Sequence, residues 1–575
     1  QAVHGQPLDV GAAVALAAAL CVRALRAGSV CVDLTADPSA WIPEDSEEPP
    51  EDLPWPEATV WLTAAKGHAL VSQGEDGPID RPLRLVGDLL YLQRYWHDEQ
   101  VIRTAMRGRA RELAVDASAL ADGLGRLFPG RQPDRQRLAA ATAALRQITI
   151  IAGGPGTGKT TTVARILALL RPVSDNRASI ALAAPTGKAA ARLQEAVATA
   201  LGHMDQVDRD RVGDLAASTL HRLLGWRPHA QGRFRHDRSH PLPHDVVVVD
   251  ETSMVSLPMM ARLLEAVRPD ARLILVGDPD QLASIDAGAV LGDLVAAPPT
   301  ATQTALAGAL AAACPAESAD TQAAADSGVV VLDHNYRFEG AIADLAAAIR
   351  LNDPDRALAI LQAGHADVQF LDPASGAVAA VRAKAVEQTE HMVAAAAAGE
   401  AAAALAELEK HRVLCAHREG PYGVSHWDDL IQGWTEHLIT RPAPGNPWYV
   451  GRPLLVTSND YTADLYNGDT GVIIAASDGE MRAAFARGSG IVELPTSRLD
   501  SVSTLRAMTI HRGQGSQFDA VTVILPPAES QLLTRELLYT AVTRARHRIT
   551  VIGTQEAVRA GVARQVRRAS GLRSL

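Results

Sequence analysis

From about residue 130 onward, short apolar runs rich in Val, Ile and Ala alternate with longer segments whose apolar residues recur at helical spacing. The strands predicted from the runs are 148–152, 179–183, 246–249 and 273–276, followed by a second set at 329–332, 413–416, 521–525 and 549–552. Near-continuous β-branched runs with helices between them predict parallel strands buried on both faces. Two such sets predict two similar α/β lobes. Residues 451–505 break the pattern. There, 453–457 and 491–494 read as short strands, and Asn467-Gly468 and Asp478-Gly479 as tight turns, which together predict a small β-barrel. Two Ala-rich tracts separate the sets. The low-complexity tract 301–325 reads as a mobile loop, and 378–408 as helix, because Ala has the highest helix propensity.

The first 125 residues carry a different pattern. An apolar helix over 8–25 leads into a strand at 29–34, and Arg, Glu and Gln recur at helical spacing over 91–111. Between them, PEDSEEPPEDLPWP (43–56) holds too many carboxylates and prolines to build a core and reads as an exposed loop. A separate, mostly helical N-terminal domain is predicted, with Trp41, Trp55 and Trp61 exposed. Aromatic and Arg residues anchor protein interfaces, so this domain reads either as a surface for a partner or as a small helical domain packed only on the lobes that follow.

Composition narrows the class. Of 575 residues, 47% are hydrophobic and 21% charged, as in globular proteins, and at about 150 residues per domain three to five domains are expected. No apolar stretch reaches the ~18 residues of a membrane span, and 10–22 ends in Arg23 and Arg26 as an amphipathic helix does rather than a signal peptide. Cys21, Cys31, Cys314 and Cys415 are scattered, without CxxC or a His at metal spacing, and read as reduced thiols of a cytoplasmic protein. The net charge of −11 excludes a uniformly basic surface but leaves room for a narrow basic groove that holds a nucleic-acid strand.

Three motifs carry chemistry. Gly153-Gly154-Pro155-Gly156-Thr157-Gly158-Lys159-Thr160 fits G-x-x-x-x-G-K-[ST], directly after a strand and before a helix that continues with Thr161. Such a loop wraps backbone N–H groups around phosphates, and the helix N-terminus adds partial positive charge. Lys159 is placed to reach the β- and γ-phosphates and Thr160 to ligate Mg²⁺. In DVVVVDE (245–251) a buried strand ends in two carboxylates: Asp250 for the Mg²⁺, Glu251 to orient and deprotonate an attacking water. At the next strand end, in VGDPDQL (276–282), Gln281 offers an amide to the γ-phosphate. Arg337 in HNYRF and Arg544 in LLYTAVTRARHR are candidates to neutralise charge spreading over a transferred phosphoryl group.

In their order, these motifs resemble those of superfamily 1B helicases, and within them the RecD family, over about residues 130–553. DRQRLAAATAAL is similar to the adenine-reading segment, with Gln136 as its amide. APTGKAAARL, with Thr186 and Lys188, and STLHRLLG, with Thr219 and His221, resemble the DNA-contacting motifs of the first lobe. AMTIHRGQGSQFD, with Thr509, His511 and Gln514, resembles that of the second, although Gln517 stands where the family carries Glu. The resemblance implies an α/β P-loop NTPase with two RecA-like parallel-sheet motor lobes, 126–335 (1A) and 336–450 with 506–575 (2A). It also implies a small 1B hairpin at 225–243, an SH3-like 2B barrel at 451–505 and a partner-docking domain at 1–125. The implied function is an ATP- and Mg²⁺-dependent 5′→3′ helicase on single-stranded DNA and duplex ends. Its implied partners are RecB-like and RecC-like subunits in an exonuclease V heterotrimer that repairs breaks by recombination. No carboxylate cluster with a lysine marks a nuclease site in this chain, and no helix-hairpin-helix repeats of the stand-alone relatives precede the motor. The alternatives are a stand-alone helicase and a structural subunit with a vestigial ATP site.

Overall fold

The computed structural model describes residues 10–37, 55–130, 134–174, 178–227, 234–299, 302–336, 340–440, 446–460, 462–487, 490–566 and 568–574. In the N-terminal unit, Cys31–Asp33 (β1), Val71–Gln73 (β2), Leu83–Val86 (β3) and Leu89–Leu92 (β4) form a sheet in the order β1-β4-β3-β2. The helices Val10–Arg26, Ala58–Gly67, Gln93–Gly108 and Ala117–Leu127 accompany it. A mostly helical domain was expected. The sheet escapes the sequence pattern because its strands are three or four residues long, too short for alternation to register. The expected helix over 91–111 begins as the end of β4. Most of 43–56, and Trp41, lie outside the described residues. Trp61 is not exposed as expected: it is 1% exposed, and its indole N–H donates to the Ala13 carbonyl at 2.8 Å. Trp55 is half-buried beside it.

The first lobe is a six-stranded sheet of Ile148–Gly153 (β5), Ile180–Ala184 (β6), Ala217–Thr219 (β7), Val246–Val249 (β8), Arg272–Gly277 (β9) and Val329–Leu332 (β10). The order is β10-β5-β9-β8-β6-β7, parallel throughout. Residues 329–332, expected in the second set, pair with β5 of this first sheet. Successive strand residues serve opposite faces. Ile151, Val246, Val248, Ile274 and Val276 pack into one core; Ile148, Ile150, Val247, Val249, Leu273 and Leu275 pack into the other. The second face is covered partly from outside the lobe. Trp96, Val101 and Ile102 of the N-terminal helix Gln93–Gly108 bury against Met260, Leu263 and Leu264 of the helix Leu257–Ala266. One face of that N-terminal helix therefore packs on the first lobe. Tract 301–325, expected to be a loop, forms the helices Thr304–Ala313 and Ser318–Ser327.

The second lobe is parallel too, built from Val368–Leu371 (β11), His411–Cys415 (β12) and three strands that follow an insertion. The insertion comprises Pro453–Val456 (β13), Thr470–Ala475 (β14), Met481–Arg487 (β15), Gly490–Pro495 (β16) and Val502–Thr504 (β17). It is antiparallel, in the order β16-β15-β14-β13-β17. No ladder joins β16 to β17 among the described residues, so the expected barrel is an open sheet at that edge. Ala507–Thr509 (β18), Phe518–Ile524 (β19) and Ala545–Ile552 (β20) then complete the lobe in the order β11-β20-β19-β12-β18.

The end of the chain returns to its beginning. Gly571 N–H and the Ser570 hydroxyl donate to Glu99 Oε1 at 2.7 and 2.9 Å, Arg568 donates to the carbonyls of Ser284 and Gly288, and Arg573 pairs with buried Asp293 at 2.7 Å. Residues 568–574 thus stitch the N-terminal unit to the first lobe. The four cysteines are buried free thiols.

Candidate active site

The carboxyl ends of β5, β9 and β8 lie side by side, and three motifs leave the sheet there. The loop after β5 turns through Gly156 (φ 84) and Gly158 (φ 77), a left-handed backbone that favours glycine. Lys159 opens the helix Lys159–Ser174, and its Nζ donates to the carbonyls of Gly153 at 2.6 Å and Gly154 at 2.8 Å, so the ammonium lies in the mouth of the loop. Thr157 Oγ1 donates to the Gly154 carbonyl at 2.9 Å, and Thr160 sits half-buried beside Lys159. Thr161, next in the helix, is exposed. Gln136 is buried; its Nε2 donates to the Thr157 carbonyl at 3.1 Å, and a side chain at Gly158 would run into it.

β8 delivers Asp250 and Glu251. Burial and the adjoining Glu251 carboxylate raise the Asp250 carboxyl above its usual range, with Lys159 pulling the other way. Asp250 Oδ1 accepts the Glu251 N–H at 2.8 Å, and Glu251 itself is held at φ 51, ψ 40. A non-glycine residue in that region costs about 1–3 kcal/mol and persists where the surroundings impose it, often at functional sites. β9 delivers Asp278, whose Oδ2 accepts Gln281 Nε2 at 2.9 Å; burial raises its carboxyl as well.

The second lobe closes on this edge. Arg544, 3% exposed, donates to Gln281 Oε1 at 3.2 Å and to the carbonyls of Thr540 and Ser516 at 3.1 and 3.0 Å. Leu282 N–H donates to Thr540 Oγ1 at 2.9 Å, and Gln514 Nε2 to the Leu282 carbonyl at 2.7 Å. The turn after β9 is thereby gripped by residues from two separate segments of the other lobe. Arg337 lies outside the described residues; its neighbour Tyr336 donates its N–H to the Gly156 carbonyl at 2.9 Å. Tyr539, which no motif reading singled out, also enters this edge from the second lobe.

The other carboxyl ends of the first sheet, β6 and β7, carry the candidate DNA contacts. Thr186 caps the helix Gly187–Gly202 by accepting the Ala189 N–H, and Thr219 likewise accepts the Arg222 N–H, both at 3.2 Å. His221 stacks edge-on against Trp226 at 6.2 Å, near Phe234, and burial lowers its pKa. Trp226 and Phe234 form an antiparallel bridge, the described part of the expected 225–243 hairpin; 228–233 lie outside the described residues. Lys188 is half-buried. It faces Glu409 of the second lobe at 3.9 Å, and burial brings its ammonium down to about 8 against the pull of Glu409. Arg192 shares Glu409 at 3.9 Å and donates to the Gly515 carbonyl. Thr509 accepts the Arg512 N–H at 3.3 Å, and His511 is lowered by burial and by Arg568 and Arg418. Of these candidates, Gln281, Lys188, Gln514 and Arg544 take part in contacts that cross between the two lobes.

Comparison with known proteins fits this layout. Family models for an AAA domain, a UvrD-like helicase C-terminal domain and the N-terminal domain of the RecBCD enzyme subunit RecD match residues 136–287, 504–552 and 2–91. A RecBCD enzyme subunit RecD from Mycolicibacterium smegmatis is 49% identical over 98% of this chain and 93% of that protein. The chain belongs to the RecD family. The RecBCD enzyme subunit RecD of Haemophilus influenzae is 34% identical over 90% of this chain and 84% of its own length. The ATP-dependent RecD2 DNA helicase of Deinococcus radiodurans is 31% identical over 73% of this chain but only 48% of its own length. Among solved structures, Pif1 helicase from Candida albicans overlays at a TM-score of 0.38 and 14% identity, covering 74% of this chain and 96% of that one. As a RecD family member, the chain is an α/β P-loop helicase.

Proposed function

We propose that this chain is the ATP-dependent 5′→3′ DNA helicase of a heterotrimer with RecB-like and RecC-like subunits, an exonuclease V that processes duplex ends in recombinational repair. One observation carries the reading furthest: the phosphate-side turn after β9 is bonded directly to Arg544 and Thr540 of the opposite lobe. A change at the γ-phosphate therefore has a short physical path to movement between lobes. The match of residues 2–91 to the RecD N-terminal domain favours the subunit over a stand-alone helicase, and the RecD2 relative is matched over only 48% of its own length. Lys159, Asp250, Glu251 and Arg544, all present, speak against a vestigial site.

The residues fit ATP and Mg²⁺. The loop's left-handed glycines turn its backbone without a Cβ of their own, Lys159 Nζ lies in its mouth, and Asp250 holds a half-buried carboxyl whose charge a cation would relieve. Gly153 to Thr161 would cradle the phosphates, Gln136 read the adenine, and Thr160 and Asp250 hold the Mg²⁺, which supplies charge neutralisation. Glu251 would take the proton of the attacking water. Gln281, Arg544 and Arg337 would meet the charge that develops on the phosphoryl group. Thr186, Lys188, Thr219, His221, Thr509, His511 and Gln514 would line the single-stranded DNA, Lys188 after leaving Glu409. DNA cleavage falls to the partners, and the complex works in the cytoplasm. Among the described residues no helix is long and apolar enough to cross a membrane. Strand displacement by the assembled complex tests the reading, with the RecB-like ATP site disabled so that only this motor runs. Displacement from 5′-tailed but not 3′-tailed duplex is expected; the reverse preference would overturn the assigned polarity.

A further inference from the structure

We propose that Tyr539 is a positioning residue of the ATPase site, reaching across from the second lobe to fix the Asp278 carboxyl group beside the P-loop. The proposal rests on the ATPase reading above and adds a residue to which that reading gives no role. Tyr539 lies on the helix Arg535–Val542 and is 4% exposed. Its hydroxyl stands beside the Asp278 carboxyl group where the P-loop passes at Gly154. A side chain added at Gly154 would stand 2.8 Å from that hydroxyl and 4.0 Å from Asp278 Oδ2. P-loop, carboxyl and phenol therefore meet at one point.

The contact belongs to a series. Tyr539, Thr540 and Arg544 touch Asp278, Leu282 and Gln281 respectively, so one short segment of the second lobe holds the whole turn after β9. Without Tyr539, the Asp278 side chain would keep the Asp280 N–H at 3.1 Å and the Gln281 amide at 2.9 Å, partners on its own turn. The phenol adds a fixed donor from outside that turn. A fixed carboxyl group in turn fixes the Gln281 amide, with its NH₂ toward Asp278 and its oxygen toward Arg544. Tyr539 thereby keeps Arg544 and Gln281 in register for the step in which charge develops, without touching the nucleotide.

Tyr539→Phe in the full chain removes only the hydroxyl. At saturating single-stranded DNA, kcat for ATP is expected to fall about tenfold, the scale of one buried hydrogen bond, with KM changed by less than about twofold. In an Asp278→Ala background the hydroxyl has nothing to hold, and Tyr539→Phe is expected to change kcat by less than about twofold. A phenol that only fills space would lower the melting temperature and leave kcat alone; that result, or an equal loss in the Asp278→Ala background, overturns the proposal. A parent chain without DNA-stimulated ATPase would remove the underlying reading and the proposal with it.

Discussion

Glu251 stands at φ 51 directly after a strand of four buried valines, and Asp250 before it is charged only against the opposition of burial. Neither arrangement favours folding, and both suit a site that receives a cation and a water. The folded Asp250 carboxyl titrates above its usual 3.8, so the folded state holds the extra proton between the two values and stability falls as pH rises through that window. Asp250→Asn is accordingly expected to abolish Mg²⁺-dependent ATPase while raising the melting temperature at neutral pH. Melting curves across pH check the sign, because the gain should shrink as the pH approaches 3.8. Lys159→Ala should reduce ATP hydrolysis to background with unchanged far-UV circular dichroism, since its ammonium bonds only to two carbonyls of its own loop. Arg544→Ala should lower kcat by roughly 10³-fold with a much smaller effect on ATP affinity. Its burial adds a second consequence, a lower melting temperature, because the Thr540 and Ser516 carbonyls each lose a donor. At this scale the P-loop and the paired carboxylates were legible as spacing. Tyr539 was not, because nothing in local sequence shows that a lobe-2 phenol meets Asp278.

At the scale of elements, two packings decide how the motor is held. Ile102, fully buried, lies in the core between the helices Gln93–Gly108 and Leu257–Ala266, so Ile102→Ala should cost about 2–5 kcal/mol in denaturant unfolding of the first lobe. Removing residues 1–128 would expose that same face, so a truncation near Pro129 is expected to aggregate rather than remain an active motor. Gly187 opens the helix after β6 with Tyr466 of the inserted sheet directly against it; an added Cβ would fall 2.5 Å from the ring's Cγ. Gly187→Ala should weaken single-stranded DNA binding by tilting the inserted sheet, and a second change, Tyr466→Ala, should restore space and part of the affinity. Titration by fluorescence anisotropy separates the two. Strand-helix alternation made both lobes legible, yet tract 301–325 was misread. Its helical signal is carried by Leu306 and Leu310, four apart and both buried, within a run of alanines that pack equally well in any register. Residues 329–332 group with the second set by their order along the chain, while the lobe boundary at 335 keeps them in the first; strand order, not sequence order, places them beside β5.

For the whole molecule, charge and connectivity set the constraints. A chain of net charge −11 can hold a polyanion only where cations converge, and the interface between the lobes gathers Lys188, Arg192, Arg412 and Arg546 around a single Glu409. Residues 568–574, in contacts that no sequence pattern showed, tie Glu99 of the N-terminal unit to Ser284 and Asp293 of the first lobe. The overall order of parts was readable because each motif follows a strand; how the parts lock together depends on contacts hundreds of residues apart. The central expectation is that a DNA strand lying across both lobes stimulates ATP hydrolysis. Its most direct test is the steady-state ATPase rate of the purified full chain, titrated with single-stranded DNA at several salt concentrations. The expected result is strong stimulation whose half-saturating DNA concentration rises steeply with salt, as counterion release requires. A rate that is the same with and without DNA, or a half-saturation point indifferent to salt, would contradict it.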